Sequence, residues 1–158
     1  RRKRLAVSDG WNSICRKINE WQGNCKMTVS TVKACFESDI NKVWETVTNL
    51  KDCSWRSDLN SVEILGENQF VEHDKNGYET KFTITCTKPL ERWEFDMENG
   101  NMSGHWVGVF TKAGENTEIE FTESVEAKKL IMKPFVRAYL KKQQAQYISD
   151  LRKALESK

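Results

Sequence analysis

Residues 77–126 read GYETKFTITCTKPLERWEFDMENGNMSGHWVGVFTKAGENTEIEFTESVE, and the two-residue rhythm of this stretch decides the fold. Tyr78, Thr80, Phe82, Ile84 and Cys86 alternate with Glu79, Lys81, Thr83 and Thr85. Trp93, Phe95 and Met97 alternate with Arg92, Glu94, Asp96 and Glu98. Met102, Trp106 and Phe110 form the next apolar set, although Val107 and Val109 blur its phase; Ile119, Phe121 and Val125 oppose Glu118, Glu120 and Thr122. Side chains two apart share a face of a strand, so each run predicts a half-buried strand. Lys88-Pro89, Asn99-Gly100 and Gly114 to Asn116 interrupt the rhythm with turn residues. Connections this short join neighbours as antiparallel hairpins.

Working outward, Gly66-Glu67-Asn68 and Asp74 to Gly77 punctuate two further runs. The strands expected are 61–65, 69–74, 77–87, 90–98, 102–112 and 117–126, with a β-rich run from Thr28 to Phe36 making seven. Between the first two, Ser38 or Asp39 can cap a helix whose apolar residues are Ile40, Val43, Trp44, Val47 and Leu50. A second short helical turn is expected around Asp52 to Arg56, carrying Trp55. Pro134 suits the first position of a long C-terminal helix, with an apolar face of Phe135, Val136, Tyr139, Leu140, Tyr147, Leu151 and Leu155. The class is α+β. A curved sheet cannot touch a straight helix along its whole length, so a hollow is expected between them.

The chain divides at Met27 into a prefix, 1–26, and a body, 27–158, which is one domain by length. In the prefix Trp11, Ile14, Cys15, Ile18 and Trp21 recur at helical intervals. Three readings stay open: a helix docked on the body, a membrane or partner segment, or translated sequence upstream of a start at Met27. No run approaches 18 apolar residues and no apolar core follows the basic N-terminus, so neither a spanning helix nor a secretory signal is expected. Cys15, Cys25, Cys35, Cys53 and Cys86 form no C-x-x-C pair and lie far from His73 and His105. No metal, cofactor or disulfide framework is expected, and reduced thiols point to the cytoplasm.

The net charge of +2 conceals an asymmetry. Residues 1–26 hold seven Lys/Arg against two acids, 128–158 hold nine against two, and 27–127 hold nine against nineteen. The basic ends read as solvated faces complementary to the acidic middle, not as a nucleic-acid footprint.

Phe36-Glu37-Ser38-Asp39-Ile40-Asn41-Lys42-Val43-Trp44, Asp52-Cys53-Ser54-Trp55 and Pro89-Leu90-Glu91-Arg92-Trp93-Glu94-Phe95 are followed by Gly104-His105-Trp106, Thr117-Glu118-Ile119-Glu120-Phe121 and the terminal helix. In this order they resemble the SRPBCC superfamily, the helix-grip fold of START domains and the birch-pollen allergens, and within it the bacterial polyketide cyclase/dehydrase-like branch. The likeness covers essentially all of 27–158. It implies a seven-stranded sheet wrapped on the C-terminal helix, two short helices after the first strand, and a hydrophobic cavity, but no particular reaction.

The residues expected to line that cavity are Trp55, Tyr78, Phe82, Ile84, Trp93, Phe95, Trp106, Phe110, Phe121, Glu123, Phe135, Tyr139 and Gln143. Glu123 breaks the pattern, because it shares the parity of Phe121 and Val125. Either the carboxyl enters an apolar face, with a raised pKa and an acid/base or orienting role, or the strand bulges or ends there and Glu123 reaches solvent at the rim. Gln143 falls in the apolar stripe after Tyr139. His73 is expected beside a turn and His105 on the outer face. No Ser/His/Asp spacing or phosphate loop is present. Three functions are compatible: binding or carriage of a hydrophobic small molecule (lipid, polyketide or aromatic), a cyclase or dehydratase using the same cavity with Glu123 as its candidate acid/base, and a chaperone-activator-like module presenting Lys133, Arg137 and Lys141 to a protein partner.

Overall fold

The computed structural model describes residues 27–157; the helix expected within 1–26 lies outside them. Strands β1 (Thr28–Phe36), β2 (Leu59–Ile64), β3 (Gln69–Asp74), β4 (Glu79–Lys88), β5 (Arg92–Glu98), β6 (Met102–Ala113) and β7 (Asn116–Ala127) form one antiparallel sheet. Its order is β1-β7-β6-β5-β4-β3-β2, so the first strand closes against the last and the rest is a meander. Helix α1 (Ile40–Thr48) carries the chain from one edge towards the other, and α2 (Val136–Glu156) follows a 3₁₀ turn at Leu130–Phe135.

Local chemistry sets these boundaries. Asp39 caps α1 by accepting from the Asn41 N–H at 2.8 Å. The second short helix expected at Asp52–Arg56 is instead a turn, closed by the Arg56 N–H on the Cys53 carbonyl at 3.0 Å. Asp52 Oδ1 accepts from both the N–H and the hydroxyl of Ser54, at 3.1 and 2.6 Å. That side-chain bonding competes with helical pairing. The α-helix at the C-terminus starts at Val136, two residues past Pro134, which sits within the preceding 3₁₀ turn and not at the first α-helical position. Register shifts between Leu59 and Ser61, and between Ile84 and Cys86, mark bulges that bend the sheet.

Helix α2 is held at both ends. Leu151 and Leu155 enter the main core beside Phe36, Ile40 and Val43, while Val136 and Leu140 pack with Val125 and Ala127 in a smaller cluster. Ser57 donates both its N–H (2.8 Å) and its hydroxyl (2.7 Å) to Asp150 Oδ2. Ser30 donates to Gln144 Oε1 at 2.8 Å, and Gln144 Nε2 donates back to the Ser30 carbonyl at 2.9 Å. Among the described residues, the α2 backbone approaches only the β1/β7 side of the sheet, α1 and the 3₁₀ turn. The inner faces of β3–β6 therefore look across a gap.

Candidate functional site

That gap is a cavity of about 340 Å³. Its walls come from the alternation of the strands: Phe70 from β3, Thr80 and Phe82 from β4, Trp93, Phe95 and Met97 from β5, and Trp106 from β6. Val47 and Leu50, Trp55, and Leu140 and Tyr147 enclose it from the helical side. The rings brace one another: Phe70 stacks on Phe82 at 4.7 Å, Phe95 stacks on Trp106 at 4.7 Å, and Trp93 meets Phe95 edge-on at 5.1 Å. Such contacts fix each ring beyond simple area burial. A Cβ on Gly108 would lie 2.3 Å from Trp106 Cη2, so the indole rests on bare backbone two residues along its own strand.

One wall is ionic. Arg56 donates through Nε and Nη2 to the two oxygens of Asp58, at 2.8 and 2.7 Å, and reaches Glu72 Oε1 at 3.4 Å. Its guanidinium lies 4.7 Å from the centre of the Tyr147 ring. Burial raises the Glu72 pKa despite the attraction of Arg56, and burial likewise raises that of Tyr147. The two-pronged pairing with Asp58 occupies the fork of Arg56.

Glu123 projects into this cavity. Strand β7 keeps unbroken register on both sides, with Glu123 opposite Ser30 of β1 and Trp106 of β6. No bulge carries it to the rim, so the solvent-facing alternative does not hold. Its Oε2 is buried and has no hydrogen-bond partner. Burial pushes the carboxyl up to about 7, with Arg56 opposing and Glu72 reinforcing that rise. An acid in this state is neutral or charged near physiological pH and can exchange a proton with whatever sits against it.

The cavity brings together Trp55, Tyr78, Phe82, Trp93, Phe95, Trp106, Glu123, Tyr139 and Gln143. Tyr78 and Tyr139 stand at its mouth, 63% and 47% exposed, and Gln143 Nε2 donates to Tyr139 Oη at 3.1 Å. Ile84, Phe110, Phe121 and Phe135 lie outside the lining. Phe110 and Phe121 are core residues, Ile84 packs against that core beside the β4 bulge, and Phe135 points to solvent from the 3₁₀ turn. His105 is on the outer face, bonded to Asp96 (2.7 Å) and Glu94 (3.0 Å), and does not meet Glu123. The helical glutamine buried in a polar bond is Gln144, one position past Gln143. Sequence reasoning missed Arg56, Asp58 and Glu72. A faint signal existed in Arg56-Ser57-Asp58, an alternating charge pair entering a strand; Glu72, sixteen residues from Arg56, had none.

No protein-family model matches the chain, and the search of curated proteins found no match. Solved structures do match. A START superfamily protein from Mycobacterium smegmatis superposes with a TM-score of 0.75 at 10% identity, over 84% of this chain and 99% of that one. A conserved protein from Geobacillus kaustophilus gives 0.72 at 16% identity, over 82% and 96%. DynU16, a protein of the dynemicin biosynthetic locus, gives 0.63 at 15% identity, over 81% of this chain and 47% of that one. The likeness at these identities is one of fold: a START-like helix-grip.

Proposed function

We propose that this START-like helix-grip domain binds an apolar, ring-bearing small molecule between its sheet and terminal helix, with a hydrogen-bond donor of the ligand set against Glu123. The observation that carries the reading is a cavity of about 340 Å³ whose aromatic walls brace one another without filling it, and whose buried Glu123 oxygen lacks a partner. The volume lies at the lower end of the range for small-molecule sites, and the lining sets an aromatic wall against the ionic one of Arg56, Asp58 and Glu72, which suits a ligand with an apolar body and a polar end. An unpaired buried acceptor is costly in the empty protein, and a ligand hydroxyl or amine would relieve that cost. The fold shared with a START superfamily protein and with DynU16 is consistent with a hydrophobic ligand.

Trp55, Trp93 and Trp106 line the cavity, so occupancy is readable from their fluorescence. Purified protein titrated with naphthalene derivatives bearing an amine, a hydroxyl or a carboxylate should show saturable quenching, strongest for the first two. Thr80→Trp, which places an indole in the void, should abolish it while the circular dichroism stays native. Failure of every probe to bind, together with no ligand retained in native mass spectrometry, would refute the reading.

The titration of Glu123 near 7 supports a second use of the same site, as a general acid/base on a bound polyketide-like chain. In that case Glu123→Gln would remove turnover while leaving the affinity for an apolar probe in place.

A further inference from the structure

From Lys128 to Ser149 the chain carries six Lys/Arg and no acid. Inside that basic stretch Leu130, Ile131 and Phe135 are 78%, 79% and 69% exposed. They lie on the 3₁₀ turn, which buries none of its residues, and Tyr139 at the cavity mouth is one helical turn beyond Phe135. Large apolar side chains clustered in solvent and rimmed by charge mark an interaction site. We propose that Leu130–Lys142 docks the protein on an anionic bilayer, with Leu130, Ile131 and Phe135 entering the headgroup boundary and the cavity mouth turned to the lipid.

Charge complementarity selects this occupant. Lys129, Lys133, Arg137, Lys141 and Lys142 are interspersed with and follow the apolar tip along the 3₁₀ turn and the start of α2, and anionic lipid attracts such a run while accepting apolar side chains beside it. The prefix 1–26 is a poor cover, having the same sign with seven Lys/Arg against two acids. A second copy offers outward acids, but Glu94 is already paired with Arg92 and His105, Asp96 with His105 and Glu120 with Lys33, which leaves little uncompensated charge to receive the basic stretch. The surface stands on its own exposure and charge and does not require the cavity to hold a ligand.

The test is vesicle co-sedimentation of the full chain on phosphatidylcholine with and without phosphatidylserine. Binding should require phosphatidylserine and weaken as salt rises. Lys133→Ala with Arg137→Ala should lower partitioning roughly thirtyfold, as two surface cations near an anionic leaflet imply. Ile131→Asp with Phe135→Asp should abolish it, and because both side chains are exposed the fold is not at risk. Absence of phosphatidylserine-dependent binding would overturn the proposal. So would binding that survives Ile131→Asp/Phe135→Asp, which would place it elsewhere on the chain, or capture only by an acidic protein or a second copy.

Discussion

Replacing Glu123 with glutamine should stabilise the ligand-free protein at neutral and alkaline pH and change little near pH 4.5. In the folded protein the carboxyl titrates at about 7 instead of its ordinary 4.5. Below the lower value both folded and unfolded states hold the proton, and no free-energy difference arises. Between the two values the folded state keeps a proton that the unfolded state releases, so stability falls as pH rises through this window. Each pH unit is worth about 1.4 kcal/mol, which makes the accumulated penalty roughly 3 kcal/mol above pH 7. Glutamine has nearly the same shape and no charge to bury, so it mimics the protonated acid throughout. Urea unfolding followed by tryptophan fluorescence at intervals from pH 4.5 to 8.5 gives both profiles. The variant should match the wild type at the acid end and exceed it by up to about 3 kcal/mol at pH 8, roughly 6–12 °C in melting temperature. Parallel profiles would show that the carboxyl is ordinarily solvated, and the picture of an unpaired buried acid would fall.

Arg56→Met should cost roughly 3–5 kcal/mol, because Asp58 and Glu72 lose the guanidinium that compensates their burial; the pH profile of Glu123 should also move upward, since Arg56 is the group holding its pKa down. Gly108→Ala should destabilise by about 1–3 kcal/mol by driving a methyl into the Trp106 indole, and thermal melts should show the loss together with a shifted tryptophan emission. For His105, burial opposes protonation, but the carboxylates of Asp96 and Glu94 outweigh it and lift the pKa above 6.5. A raised histidine pKa stabilises the fold at acid pH and loses that contribution as pH passes through the folded value. Proton NMR should place the His105 midpoint above 6.5 in the wild type and lower it in Asp96→Asn.

Much of this architecture follows from short-range pattern. Strand β1 runs from Thr28 to Phe36 as its β-rich composition predicts, and the turn residues at 66–68, 74–77, 99–100 and 114–116 separate the hairpins. Alternation assigns Phe82, Trp93, Phe95 and Trp106 to the inner face, because parity along a strand is a local property that survives small errors in its ends. The inward Glu123 is visible by the same parity. Whether it stays inward is not, since a bulge between Phe121 and Glu123 would have turned it outward.

The rest needed long-range geometry. Phe135 belongs by spacing to the apolar stripe of the terminal helix, yet the 3₁₀ turn has a different angular step and leaves it in solvent. Gln143 lines the cavity beside Tyr139, while the buried polar bond to Ser30 of β1 falls to its neighbour Gln144, which no periodicity marks. Arg56, Asp58 and Glu72 meet only because a turn, a strand start and a neighbouring strand converge, and no periodicity encodes such an encounter. Local sequence thus determined the elements, their pairing and most of the cavity's aromatic lining. Only the tertiary structure decided that the interior holds an ionic wall beside an unpaired acid, because charge burial depends on what every other element leaves uncovered.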